Sequence, residues 1–221
     1  HTLRYGAVKD NVAALRVCLQ SGEWLDAKAY GIGDSDCADL LKAHQPLRDL
    51  QLLLQENAAL IEQKRPTVSK NSCGYNLFGL VDGMAQGRFD LPKLFVGSEG
   101  TLGLFSEATI RVVEKPHATL TALIHFHRLE DVGDVVPKLL ELSPSALEVM
   151  DANTLNLIGR AKHGIPTDAA ATLLVELDVD GAGIDLRAQA VRMTEICRRY
   201  RLTSDPVIAF DPEQREQLWK A

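Results

Sequence analysis

Glycine stands at positions 97, 100 and 103 of "LFVGSEGTLGLFSEATI" (94–110), and the chain then runs into an alternating, β-branched segment. Glycine weakens helices and strands alike, so a cluster of it marks tight turns or a close approach of the backbone to something else. A second glycine-bearing stretch, "KNSCGYNLFGL" (70–80), lies just upstream. The region from about 66 to 103 shows little periodicity and reads as mostly loop. A loop of that length inside a domain is either functional or disordered, and its tyrosine, phenylalanines and leucines argue against disorder.

The three glycines fit neither GxGxxG nor GxxxxGK[ST], and they precede a strand rather than a helix. Two readings stay open for them: a structural tight turn, or a nest of backbone N–H groups aimed at an anion.

Around this region the pattern is more regular. "NVAALRVCLQSGEWLDAKAYG" (11–31) predicts two strands about Ser21-Gly22, with Val12, Leu15, Val17 and Leu19 on the apolar side. "DSDCADLLKAHQPLRDLQLLLQENAALIEQK" (34–64) predicts helix, divided at Pro46, which starts a second helix. Leu47, Leu50, Leu54, Ala58 and Ile61 fall three or four apart and form one buried face. "LFSEATIRVVEKP" predicts a strand that stops at Pro116.

Beyond Pro116 the segments alternate. Strands are expected over 118–126, 146–150 and 171–179, and helices over 132–142, 154–159 and 183–200. This order predicts a sheet covered by helices on one face. The expected class is α+β, with one domain over residues 1–116 and another over 117–221.

Bulk properties exclude some partners. With 221 residues, 46% of them apolar, the chain is long enough for a sizeable core. A net charge of −6 gives no footprint for nucleic acid, and "CRRYR" (197–201) is flanked by Glu195 and Asp205. No apolar run approaches the roughly 20 residues of a membrane helix. Cys18, Cys37, Cys73 and Cys197 are widely spaced with no CxxC pair, which fits a reduced, intracellular setting. The first residues, "HTLRYGAVKD", read as interior sequence and suggest a fragment.

Several residues invite chemistry, each beside a plainer role. Lys70, Asn71, Tyr75 and Asn76 can ligate a phosphate, a carboxylate or a ring edge, or can simply cap their own loop. Cys73 near Lys70 is a candidate reactive thiol, although a buried inert thiol is the commoner case. "HFH" (125–127) offers two imidazoles and no third metal ligand. Asp151, with Glu148 a candidate carboxylate pair, is better read as the N-cap of the following helix. No residue pattern names a catalytic base or a metal site.

"LRYGAVKDNVAALRVCLQSGEWL", "KNSCGYNLFGL" and "LPKLFVGSEGTLGLFSEATIRVVEKP", in that order, resemble the FAD-linked oxidases of the vanillyl-alcohol oxidase type. The most similar branch is the group of the glycolate oxidase large subunit, D-lactate dehydrogenase and D-2-hydroxyglutarate dehydrogenase. The resemblance implies part of that family's FAD-binding domain, its second subdomain, followed by part of a ferredoxin-like α/β substrate-side cap with an antiparallel sheet. It implies FAD as cofactor, with contacts at Tyr5, Gly6, Lys70, Gly74, Tyr75, Gly97, Glu99, Gly100, Thr101, Gly103 and Leu104.

The implied reaction is oxidation of a small D-2-hydroxy acid by hydride transfer to the flavin, with electrons passing to an acceptor protein or a quinone. The expected location is cytoplasmic or peripheral at the inner membrane.

The family's pyrophosphate loop precedes the matched region and its histidine-rich HGDGNxH-like motif follows it, so the chain is expected to be an inactive middle piece. Cys73 stands where the motif often has a small residue. Two rival readings remain: a non-catalytic binding module, and a flavin-dependent reductase of the UDP-N-acetylenolpyruvoylglucosamine type.

Overall fold

The computed structural model describes residues 1–68, 71–181 and 185–220. The chain divides into two compact units, Ala7–Val112 and Val113–Ala221, the latter also taking in His1–Gly6. The architecture is α+β, and both units are built on antiparallel sheets.

In the N-terminal unit, β1 (Val12–Cys18) and β2 (Trp24–Gly31) form the expected hairpin. Its turn closes through Gly22 N–H donating to the Leu19 carbonyl at 2.9 Å, with Gly22 at φ 85°. A short β3 (Arg88–Asp90) adds outside β2, and β4 (Leu104–Ile110) adds outside β1.

Three helices follow β2: α1 (Ser35–Ala43), α2 (Gln45–Glu56) and α3 (Ala58–Gln63). Pro46 sits in the first turn of α2, where its missing N–H costs nothing. Leu47, Leu54 and Ile61 are buried and Leu50 packs partly buried beside them, against Leu15, Val17, Leu25 and Phe89 of the sheet. Full burial of side chains of this size stabilises by about 1.5–3 kcal/mol each.

The region from 66 to 103 is mostly loop among its described residues, with regular elements that the sequence pattern did not show. It contains α4 (Leu77–Ala85), the strand β3 and a single helical turn at Pro92–Phe95. Asn76 caps α4 by accepting from the Gly79 N–H at 3.1 Å, which is the plainer of the two roles considered for it. Glycines inside α4 hid the helical pattern. Gly83 is there because the helix lies against β3, where a Cβ would stand 3.0 Å from the Arg88 carbonyl oxygen.

The alternation of β4 locates the strand, all seven of whose residues are exposed, but not its end, which falls at Ile110, well before Pro116.

In the C-terminal unit the strands β5 (Ala118–Phe126), β6 (Ala146–Asp151), β7 (Ala171–Val179) and β8 (Val207–Ala209) are ordered β6-β7-β5-β8. Period-two alternation divides the central pair cleanly. Leu120, Ala122, Ile124 and Phe126 of β5, with Leu173, Val175 and Leu177 of β7, form one apolar face. On that face lie α5 (Leu129–Leu139) through Val132, Val135 and Leu139, and α7 (Leu186–Cys197) through Ala190, Met193 and Cys197.

The opposite face pairs Thr119 with Asp178, Thr121 with Glu176 and His125 with Thr172, each directly across the ladder. Helices are therefore not confined to one face. α8 (Pro212–Trp219) sends the Trp219 indole to Glu176 on the polar side, while α6 (Ala152–Ile158) buries Leu155 with Ile165 and Ala169 in a separate small cluster.

The expectation that residues 1–6 belong with the first half also fails, since His1, Arg4 and Tyr5 bind β7 and the residues just after it.

Gly103 makes a close approach to the backbone of β1. At φ 155° a Cβ there would meet the Cys18 carbonyl oxygen at 2.6 Å and Val17 Cγ1 at 2.7 Å. Gly103→Ala is expected to destabilise by about 2 kcal/mol or more, measured by denaturant unfolding. Unchanged stability would mean that β4 does not depend on that approach.

Candidate functional site

The glycine-rich turn and the loop ahead of α4 meet in the N-terminal unit. Tyr75 donates its hydroxyl to Thr101 Oγ1 at 2.8 Å, because the Thr101 hydroxyl is itself committed to the Ser98 carbonyl at 2.6 Å. Gly97 faces the Gly74 carbonyl oxygen, 3.9 Å from where a Cβ would be. Gly74, Tyr75, Gly97, Ser98 and Thr101 thus form one cluster.

Its backbone is bent into the left-handed region at Gly74 (φ 66°), Gly97 (φ 92°), Glu99 (φ 53°) and Gly100 (φ 78°). Around Gly100 a Cβ would touch nothing, so space does not demand a glycine there; the positive φ does. Gly103 differs, because the body it approaches is the protein's own β1. The Ser98 hydroxyl is buried at the centre of this turn with no hydrogen-bond partner among the described residues. An orphaned buried hydroxyl costs about 1–3 kcal/mol. A turn of positive-φ residues beside such a group has the donor set of an anion-binding nest, which suits the pyrophosphate of a dinucleotide.

The other expected contacts are more scattered. Leu104 is exposed and pairs with Cys18 at the start of β4. Asn71 accepts from the Cys73 N–H at 3.0 Å, a local loop cap, and Cys73 is exposed. Lys70 lies outside the described residues. Tyr5 belongs to the C-terminal unit, where it donates to Asp178 at 2.8 Å, and burial beside that carboxylate pushes its phenol up to about 12. Gly6 closes the short Thr2–Tyr5 turn at φ 76°.

Sequence reasoning missed a second site, on the polar face of the C-terminal sheet. Glu176 is only 4% exposed, yet three donors surround it: Thr121 at 2.7 Å, Trp219 at 2.8 Å and His1 at 2.6 Å. Asp178, two residues on, accepts from Thr119 at 2.6 Å and Tyr5 at 2.8 Å. The His1 ring stacks on Trp219 with centroids 5.5 Å apart. Glu176, Asp178, Thr119, Tyr5 and His1 line a cleft of about 610 Å³ whose walls include His117, Phe210 and Arg215. The available signal was "VELDV", two acids at strand spacing inside an otherwise apolar run.

The remaining candidates take structural partners. Asp151 caps α6 by accepting from the Thr154 N–H at 2.8 Å, and that hydrogen bond lowers its pKa. His127 points to Asp168 at 3.4 Å, while His125 is buried against the Thr172 hydroxyl at 2.8 Å. All four cysteines are free, and burial raises the Cys197 thiol to about 12.

Burial also lowers the His125 pKa and keeps the ring neutral. Below its unfolded value of about 6.5, the unfolded chain takes up a proton that the folded one refuses, so this contribution is lost as pH falls. The thermal midpoint is expected to drop more steeply for the wild type than for His125→Asn between about pH 7.5 and about pH 5.5. Parallel curves would mean that His125 is free to protonate in the fold.

Comparison with known proteins covers both units. Residues 115–221 match the family described as "FAD linked oxidases, C-terminal domain". Glycolate oxidase subunit GlcD of Bacillus subtilis is 41% identical over 93 residues, covering 41% of this chain and 20% of that protein. The mitochondrial D-lactate dehydrogenase [cytochrome] of Arabidopsis thaliana is 26% identical over 220 residues, covering 99% of this chain and 29% of that protein. The chain therefore spans about a fifth to a third of the length of such relatives.

Among solved structures, an alkyldihydroxyacetonephosphate synthase superposes with a TM-score of 0.50 at 12% identity, over 98% of this chain and 32% of that one, a likeness of fold. The C-terminal unit thus matches a domain of the FAD linked oxidases, and relatives align with both units.

Proposed function

We propose that this chain is part of an FAD-dependent oxidoreductase that converts a small D-2-hydroxy acid of the glycolate, D-lactate or D-2-hydroxyglutarate class to its 2-oxo acid. One observation carries the cofactor assignment: the positive-φ turn at Gly97, Glu99 and Gly100 encloses a buried Ser98 hydroxyl without a hydrogen-bond partner among the described residues.

The groups that would hold the dinucleotide are backbone amides of that turn, with Gly74, Tyr75 and Thr101 bracing it through the Tyr75–Thr101–Ser98 hydrogen bonds. Gly103 and Leu104 anchor the turn to β1 and set its exit. For Tyr5, Gly6 and Lys70 the assignment rests on the family resemblance. In this reading the unit Ala7–Val112 corresponds to the cofactor-binding part, and the unit of His1–Gly6 with Val113–Ala221 to the substrate-side cap.

The names of the relatives support the substrate class, since they include a glycolate oxidase subunit and a D-lactate dehydrogenase. Oxidation removes a hydride from the carbinol carbon and a proton from its hydroxyl, and a bound flavin supplies the hydride acceptor. Electrons then leave to an acceptor protein or a quinone. No helix among the described residues is long and apolar enough to cross a membrane.

The test is a visible spectrum of the polypeptide its gene encodes, before and after anaerobic addition of glycolate, D-lactate or D-2-hydroxyglutarate. A flavin band that bleaches with one of these acids is expected. A protein that stays colourless when FAD is added would remove the oxidoreductase reading. Oxidation of NADPH in place of the hydroxy acids would move it to the reductase class.

A further inference from the structure

The cleft of the C-terminal unit contains an imbalance that the cofactor reading leaves unexplained. Both carboxylates on its floor already have hydrogen-bond donors on each oxygen, Glu176 from Thr121, Trp219 and His1, and Asp178 from Thr119 and Tyr5. Arg215, in the wall, is half-buried on α8, yet its Nε is buried without a hydrogen-bond partner and its guanidinium makes no ion pair among the described residues. The neighbouring guanidinium groups are treated differently. Arg4 binds the Asp178 carbonyl and the Asp180 carboxylate, and Arg160 binds the carbonyls of Pro166 and Ala169.

A partly desolvated guanidinium without an anion is unfavourable, and its planar fork of donors matches a carboxylate. Lys115 and His117 stand on the same cleft as further donors, and Phe210 and Leu186 give it an apolar side.

The geometry points to this cleft as a binding site for a small carboxylate with a short alkyl or hydroxyalkyl tail, with Arg215 as its anchor. The acids of the floor do not compete for Arg215, because five donors from the sheet, α8 and the N-terminal segment already occupy them. Their remaining role is to hold Tyr5 in the wall and Trp219 behind the floor, against Glu176 and His1. Glu114, the third acid on the cleft, is exposed on the segment that leads into β5. Naming a hydroxy acid as the ligand rests on the function proposed above; the carboxylate site itself does not.

Trp219 lies against the floor and reports on the cleft directly. In the 221-residue chain carrying Trp24→Phe, Trp219 is the one remaining tryptophan. Its fluorescence is titrated with glycolate, D-lactate and the uncharged propane-1,2-diol. Saturable responses to the two carboxylates and none to the diol are expected. Arg215→Met should weaken binding by about tenfold or more and Arg215→Lys by less, with unchanged near-ultraviolet circular dichroism.

A flat titration of the folded chain, an equal response to the diol, or equal affinity in a folded Arg215→Met or Arg215→Gln variant would each overturn the site. The flavin spectrum separates the two readings. A yellow polypeptide with an unresponsive cleft fails only the carboxylate site, and a colourless one with a saturable cleft fails only the oxidoreductase.

Discussion

Between Gly103 and the Cys18 carbonyl there is no room for a side chain, and the N-terminal unit depends on that fact. The approach lets β4 lie in register on β1, with Leu104 opposite Cys18. It fixes one end of the 97–103 turn. The other end is fixed where Ser98 N–H donates to the Phe95 carbonyl at 3.0 Å, behind a helical turn whose Leu94 and Phe95 are buried in the core. Held at both ends, the turn keeps positive φ at Gly97, Glu99 and Gly100, and Tyr75 adds a third support from the loop ahead of α4. Two physical demands therefore meet in one short segment. Gly103 is required by protein packing, whereas Gly97 and Gly100 are required by backbone conformation around a polar hollow.

The C-terminal unit solves a different problem. One face of its sheet is a conventional apolar core under α5 and α7, and the other is a ladder of threonine, acid and histidine pairs. Burying Glu176 is costly unless each lone pair finds a donor. The donors come from three separate parts of the chain: β5, α8 and the N-terminal segment. That acid is the point where the first and last described segments of the unit are tied to its centre. His1 in the wall of the cleft and Trp219 behind it are held by this acid, and Tyr5 by Asp178 two residues on.

Much of this was legible from the residues. Period-two runs at 12–18, 118–126 and 171–179, and the leucine spacing of 47–61, located strands and helices because burial on one face imposes those periods. The glycine-rich stretch was less readable. Gly79 and Gly83 lowered the helical signal of α4 for reasons that exist only in three dimensions, a cap at Asn76 and a close strand at Arg88. The alternation of β4 located the strand but not its end, which falls at Ile110 rather than at Pro116.

Of the site, Gly74, Tyr75, Gly97, Glu99, Gly100 and Thr101 do come together. Nothing in one-dimensional spacing could show that His1, Trp219 and Thr121 would converge on Glu176, since the closest of them is 43 residues away.

Hydrogen exchange at the amides of Ser98 to Thr101, with and without FAD, is the most direct measurement of whether the glycine turn is a cofactor cradle. Saturable slowing of exchange at these amides on addition of FAD is expected. FAD bound with no change at these positions, and protection elsewhere, would contradict the cradle and return the turn to a purely structural role.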